Sequence, residues 1–313
     1  MSCVACGETA FRSRFTATDR LYRTTNRSFR VVECASCGLL RLEPRPAPAE
    51  LAAYYPENYW FAPDRSAAGR LEEVWRRLVL RDHVRFVSRA LRQAGARGPL
   101  VDVGCGGGLF LAQMRRRGFP GLGLDFSREA AVVAWRQGVP VVCGSLEQNP
   151  LAEGACAAVT MFHVLEHLPD PSAYLIAAWR LLRPDGRLIV QVPNASCWQF
   201  RLLGERWNGV DVPRHLVNFR ASDLDAMLAC AGFAIVRRKY FSLRDNPAGL
   251  ASSLAPALDP MARRVRRLTE SPVKKLGKDL LYLALLLAAL PFTALEAAAR
   301  AGSTVMFEAR KRL

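Results

Sequence analysis

Four cysteines stand in two pairs, Cys3-x-x-Cys6-Gly7 and Cys34-x-x-Cys37-Gly38. Two intervening residues let both sulfurs of a pair reach one tetrahedral ion while backbone N–H groups turn toward them, and the glycine that follows permits the tight turn. Four sulfurs leave no open position for water or substrate. The spacing therefore predicts a structural zinc on Cys3, Cys6, Cys34 and Cys37, with a rubredoxin-like iron site as the variant the same ligands admit. Such a metal would hold together a segment too small for its own core. Cys105, Cys143, Cys156, Cys197 and Cys230 stand in apolar surroundings and read as small core residues.

The second constellation is the turn Asp102-Val103-Gly104-Cys105-Gly106-Gly107-Gly108. Its glycines let the backbone approach a ligand closely, and Asp125, the next acidic strand end, is placed to accept both hydroxyls of a ribose. A nicotinamide or flavin site uses a similar turn. That fingerprint, however, wants Gly or Ala where Leu109 stands. His215 is the best candidate for a base, because a neutral imidazole accepts a proton near neutral pH. A packing role for it, bonded to backbone, is the competing reading. Asp211 and Arg206 could grip a polar acceptor or merely pair at the surface.

These residues need elements to position them. From residue 99, short apolar runs alternate with helical stretches: 100–103, 121–124, 139–143, 157–162 and 187–192. That alternation predicts an α/β fold, a Rossmann-like, mostly parallel seven-stranded sheet with helices on both faces. Residues 232–236 and 303–307 read as its final antiparallel pair. The expected division is 1–62, a zinc-ribbon and docking segment ending in Tyr54-Tyr55-Pro56-Glu57-Asn58-Tyr59-Trp60; 63–98, a connecting helix with Trp75, Val79, Phe86 and Ala90 on one side; 99–243, the ligand-binding core; 244–302, a helical insertion; and 303–313, the last strand.

The chain has 313 residues, 50% of them hydrophobic, with 44 Lys and Arg against 28 Asp and Glu, a net charge of +16. Disordered and collagen-like classes are excluded by that content. The basic excess avoids residues 99–200, where acids and bases balance. Nucleic acid is disfavoured as a partner, since such an enzyme would line its catalytic face with cations. The start, Met1-Ser2-Cys3-Val4-Ala5-Cys6, lacks the apolar core of a secretory signal, so a cytoplasmic location is expected.

The glycine turn after an Asp-bearing strand resembles the first motif of class I S-adenosylmethionine-dependent methyltransferases. Gly123-Leu124-Asp125-Phe126-Ser127 is similar to the family's ribose-binding strand end, Gly144-Ser145-Leu146-Glu147 to its adenine-side loop, and Phe162 to Pro171 to its fourth strand and following helix. Leu182 to Leu188 resembles the turn into the fifth strand. The paired cysteines, the Tyr-Tyr-Pro-x-x-Tyr-Trp run and Pro213-Arg214-His215-Leu216 resemble the branch with an N-terminal zinc-ribbon, found among bacterial enzymes acting on sugars, cell-surface glycans or small metabolites. The resemblance implies S-adenosylmethionine on Asp102, Gly104, Cys105, Gly106, Gly108, Asp125, Phe126, Ser145, Leu146 and His163, with a sugar, glycan-precursor or small-metabolite acceptor. Two departures stand out: Ser145 where many relatives carry an acid, and Cys156-Ala157 in place of a Phe-Asp pair. The other class of reading is a zinc-ribbon nucleic-acid-binding or interaction protein whose Rossmann-like domain has no catalysis.

Residues 261–278 carry seven bases and one acid, and 280–295 carry no charge. Sixteen apolar residues interrupted by Pro291 fall short of the roughly twenty that span a bilayer. Two expectations are open for 261–298: peripheral contact with an anionic membrane, or a helix buried in the core or a homodimer interface through Leu281, Leu285, Leu286 and Leu290.

Overall fold

A computed structural model describes residues 2–56, 67–148 and 151–312. The strands are β1 (Phe11–Thr18), β2 (Ser28–Cys34), β3 (Leu40–Leu42), β4 (Leu100–Val103), β5 (Gly121–Asp125), β6 (Val141–Cys143), β7 (Cys156–Phe162), β8 (Leu182–Pro193), β9 (Val217–Asn218), β10 (Phe233–Lys239) and β11 (Thr304–Lys311). Seven of them form one sheet in the order β10-β11-β8-β7-β4-β5-β6. β4 to β8 run parallel, and β11 is antiparallel to both β8 and β10. This is the expected fold class.

The central strands are continuous apolar runs because helices cover both faces. All of β4 is buried, as is β7 up to Phe162. Strand order reverses between β4 and β7, so the crevice at their carboxyl ends receives the glycine turn, the end of β7 and whatever follows each.

The front segment is a second sheet, β1-β2-β3-β9, and its fourth strand comes from the far side of the core. Leu40 faces Asn218 and Arg41 faces Val217. Cys3, Phe29, Val31 and Leu42 share one apolar cluster with Val101, Met161 and Phe307. Arg214, wholly buried, bonds Asp19 in the front segment and Asp211 in its own loop. Of the aromatic docking run, Tyr54 is buried and Tyr55 bonds His167; residues 57–60 lie outside the described residues.

The connecting segment holds two helices, Ala67–Val79 and Arg81–Ala94, rather than one. The second buries Val84, Phe86, Val87, Ala90 and Leu91. The break sets the first helix's face independently, so Trp75 is exposed and does not continue that stripe. Among the cysteines, Cys105, Cys156 and Cys197 are buried as expected, but Cys143 and Cys230 are exposed. Cys143 ends β6, the edge strand of the sheet, with its Sγ 3.6 Å from Phe126 O.

The insertion ends in one helix, Pro272–Ala298, which runs through Pro291. Its 18-residue apolar window has mean hydropathy 2.0, and only 22% of that window is buried. By length and composition alone the helix could cross a membrane, which corrects the expectation of a run too short to do so. Leu281 is exposed, and Leu285, Leu286 and Leu290 are only half-buried.

Candidate active site

The glycine turn leaves β4 and opens the helix Leu109–Arg115. Gly104, Gly106 and Gly108 have φ of +68°, +52° and +77°, backbone that side chains rarely adopt. A Cβ on Gly104 would lie 2.8 Å from Val164 Cγ2, whereas one on Gly106 would meet nothing within 4 Å. The turn therefore packs against the chain leaving β7 on one side and presents an open face at Gly106.

Asp125 is buried at the end of β5. One carboxylate oxygen accepts Gly106 N–H at 2.8 Å and the other Ser127 N–H at 2.9 Å. A carboxylate has about four acceptor positions, so two are left for a ligand. Burial raises its pKa, against the pull of those two N–H groups. Asp102, at the end of β4, accepts Thr160 Oγ1–H at 2.6 Å and is pushed up to about 7, first by burial. Phe126 is 70% exposed beside Asp125, an aromatic face left uncovered by protein. Cys105 Sγ lies where a Cβ on Gly123 would be, 2.5 Å away, so its side chain packs under the turn. In the loop after β6, Leu146 is fully buried and Ser145 half-buried beside it. An open glycine edge, a carboxylate with spare acceptors and an exposed ring fit a nucleoside ligand.

All four histidines of the chain lie in one polar network behind this crevice. His163 ends β7 with a left-handed φ of +57°, a conformation that costs about 1–3 kcal/mol and persists only where surroundings enforce it. Its Nδ1 lies 3.0 Å from Glu166 Oε1 and its Nε2 2.8 Å from Gln191 Nε2, with Asp245 Oδ2 3.6 Å away. Asp245 also reaches toward His83 Nε2 at 3.8 Å, and His83 Nδ1 meets Asp82 at 2.7 Å. Burial opposes charge on His163, but Asp245 and Glu166 outweigh it and raise its pKa to about 9. Glu166 is likewise opposed by burial and held below the usual carboxylate range by His163.

The other half of the network is built by the 3-10 turn Leu165–His167 and the loop before β9. Leu216 N–H donates to Glu166 O at 2.7 Å, which seats the Arg214-His215 turn against it. His167 Nδ1 lies 3.1 Å from Arg214 O and 2.9 Å from Tyr55 Oη; His215 Nδ1 lies 2.8 Å from Gly209 O. A carbonyl only accepts, so each Nδ1 carries a hydrogen, and a neutral ring in this orientation presents its lone pair at Nε2. Glu166 Oε2, buried, has no hydrogen-bond partner among the described residues. Ligand atoms of Glu166, His167 and His215 fall within 4.8 Å of one another. Burial, then the neighbouring His215, lowers His167 to about 4, so it is neutral at pH 7.

Asp211 and Arg206, weighed as a grip for a polar acceptor, line one cleft together with Asp19, Arg20 and Trp207. Asp211, at φ +27°, is taken by Arg214, and the backbone oxygen of Arg206 accepts from Arg20. Asp245, Gln191 and His83 were not legible in the sequence as site residues. Asp245 stands in an aperiodic stretch of the insertion, and only tertiary packing carries it to His163.

The four front cysteines converge. Cys3 Sγ to Cys37 Sγ and Cys6 Sγ to Cys34 Sγ are each 3.6 Å, and all four sulfurs lie within 4.8 Å. A tetrahedron with metal–sulfur bonds of about 2.3 Å has edges near 3.8 Å, so the set fits zinc. Burial opposes ionisation of Cys34, yet the N–H groups of Cys37 and Ser36 outweigh it and bring its thiol to about 7.

Residues 71–238 match a family described as a methyltransferase domain. The chain is similar to a ubiquinone biosynthesis O-methyltransferase of Pseudomonas fluorescens, 29% identical over 56% of this chain and 80% of that one. It is also similar to the enzyme of that name from Xanthomonas axonopodis pv. citri, 34% identical over 48% of this chain and 67% of that one. A crystal structure of a SAM dependent methyltransferase from Archaeoglobus fulgidus superposes with a TM-score of 0.50 at 17% identity, covering 79% of this chain and 100% of that one.

Proposed function

The chain belongs to the S-adenosylmethionine-dependent methyltransferases, and from that membership we propose how its own residues divide the work. The acceptor is a hydroxyl of a small metabolite. The names of the relatives support oxygen as the acceptor atom. Within that class, a sugar or glycan precursor, including a lipid-linked one, is the narrower reading carried by the zinc-ribbon resemblance. The observation that carries the catalytic assignment is the placement of His215: its Nδ1 lies 2.8 Å from Gly209 O, leaving Nε2, 3.9 Å from Asp211 Oδ2, as the nitrogen to accept a proton beside neutral His167.

Bound S-adenosylmethionine supplies a methyl on a sulfonium, open to in-line displacement. Gly104, Gly106 and Gly108 give it backbone access, Asp125 accepts the ribose hydroxyls, and Phe126, Ser145 and Leu146 border the adenine. Asp102 and Cys105 fix the turn from beneath. His163, held charged and immobile between Glu166 and Asp245, sets the end of β7 and faces the cofactor. His215 takes the acceptor's proton at Nε2 as the oxygen attacks, and Glu166 stabilises the cation so formed. Cys3, Cys6, Cys34 and Cys37 hold one zinc that keeps the front sheet folded and takes no part in chemistry. Residues 1–62, 63–98, 99–243, 244–302 and 303–313 serve as ribbon, connector, core, insertion and closing strand.

One observation favours a second reading of the same histidines. The unpartnered Glu166 Oε2 facing two imidazole lone pairs is a donor set for a divalent cation, which would lower the acceptor's pKa in place of a base. Screening acceptors with labelled methyl donor, with and without added magnesium or manganese, tests both. Transfer independent of added cation and lost in His215→Ala supports the base; transfer that requires the cation overturns it.

A further inference from the structure

The helix Pro272–Ala298 faces the wrong way for a solvated surface element. Its inward side is polar and locked. Tyr282 Oη meets Ser252 Oγ at 2.9 Å, and Glu296, wholly buried, accepts Gln199 N–H and Nε2–H, each at 2.9 Å. Its outward side is apolar. Val273, Leu276, Leu280, Leu283, Leu287 and Leu295 are exposed at helical spacing, Leu280 and Leu287 by 57% and 58%. Positions three or four apart share a helix face, and exposed Pro291 bridges Leu287 and Leu295, so these side chains form one stripe of about 33 Å at 1.5 Å per residue. No exposed charge interrupts it between Leu280 and Leu295.

Crossing a bilayer is excluded by the inward side. Glu296 and Tyr282 would have to leave their partners for hydrocarbon, and the chain returns directly after the helix into β11 of the central sheet. The remaining choice lies between a second copy and a lipid surface, and charge decides it. Each chain carries +16, so two copies meeting face to face repel, whereas an anionic surface attracts. Exposed cations stand at both ends of the stripe, Lys274 and Lys275 beside its first turn and Arg300 after it. The wider basic cluster expected from the sequence does not contribute as a block. Arg263 is buried between Glu270 and Asp279, Lys278 pairs with Glu270, and Arg266 bonds the backbone of Arg20.

We propose that this stripe lies in the plane of an anionic bilayer, immersed to the depth of its leucines, with the terminal cations among the headgroups. The inference goes beyond the methyl-transfer reading and does not depend on which acceptor is methylated. It places the enzyme at the surface where an amphiphilic acceptor resides.

Vesicle flotation tests it, using phosphatidylglycerol with phosphatidylcholine and, separately, phosphatidylcholine alone. The full-length protein should float with the anionic vesicles at low salt. Leu280→Glu/Leu287→Glu should reduce the bound fraction at least about tenfold, and Lys274→Gln/Lys275→Gln should weaken its salt dependence. Cofactor affinity, read by calorimetry, should be unchanged in both variants, since neither substitution touches the crevice; this separates failure here from failure of the methyl-transfer reading. Protein that stays unbound to anionic vesicles overturns the proposal. So does a concentration-dependent dimer that the leucine substitutions dissociate, because the second copy would then own the stripe.

Discussion

The rings of His167 and His215 meet edge to face with centroids 4.7 Å apart, and each ring's Nδ1 is engaged by a backbone carbonyl. Two imidazoles so oriented cannot comfortably both be charged. A charge on His215 disfavours one on His167, so the pair carries one positive charge at most.

Replacing His215 by Ala should leave cofactor binding intact and slow methyl transfer at least about a hundredfold, the usual yield of a general base. Calorimetry with S-adenosylmethionine and single-turnover rates check the two halves. A rate within a few fold of the parent leaves His215 only its bond to Gly209.

The two histidines beside Glu166 act oppositely on stability. His167, lowered to about 4 from an ordinary 6.5, contributes stability that is complete above pH 6.5 and lost as pH falls toward 4. His163, raised to about 9, contributes stability complete below pH 6.5 and lost as pH rises through 9. Urea unfolding across pH should show the acid limb flatten in His167→Asn and the alkaline limb flatten in His163→Asn.

Asp125→Ala should lose about 1.5–3 kcal/mol of cofactor affinity, as for hydrogen bonds to a charged group. Part of that loss is the unmooring of Gly106, whose N–H the carboxylate holds. Unchanged affinity in isothermal titration would sink the assignment of the ribose site.

Asp102, at about 7, is partly protonated in the free protein at neutral pH. A cationic cofactor arriving beside it should lower that value and release protons. Binding enthalpies measured at pH 7 should then vary with the ionisation enthalpy of the buffer, and the variation should disappear in Asp102→Asn.

Metal analysis of purified protein should find one zinc per chain, lost in Cys34→Ser. A variant that keeps its full metal content, or parent protein without zinc, refutes the ribbon assignment.

The glycine turn that forms the crevice is legible in the sequence because its signals are local. A glycine turn between an Asp-bearing strand and a helix dictates its own backbone, and Asp125 follows one strand later. Asp245 was not legible, since nothing near it in sequence repeats or caps, and its role is created by a fold that brings the insertion back over β7. The long helix shows a different limit. Its periodicity was readable, but periodicity cannot say which face turns outward, and here the leucines do. Arg263 counted as a surface cation in the sequence and is instead an internal strut.

β9 lies two residues after His215 and completes the sheet that carries Cys34. A protein cut at residue 56 would therefore not be a smaller version of this enzyme. The loop bearing His215 would dangle from an unpaired strand, and Arg214 would keep its charge without Asp19 to answer it. The front sheet is thus a splint for the histidine loop, held through the pairing of β3 with β9.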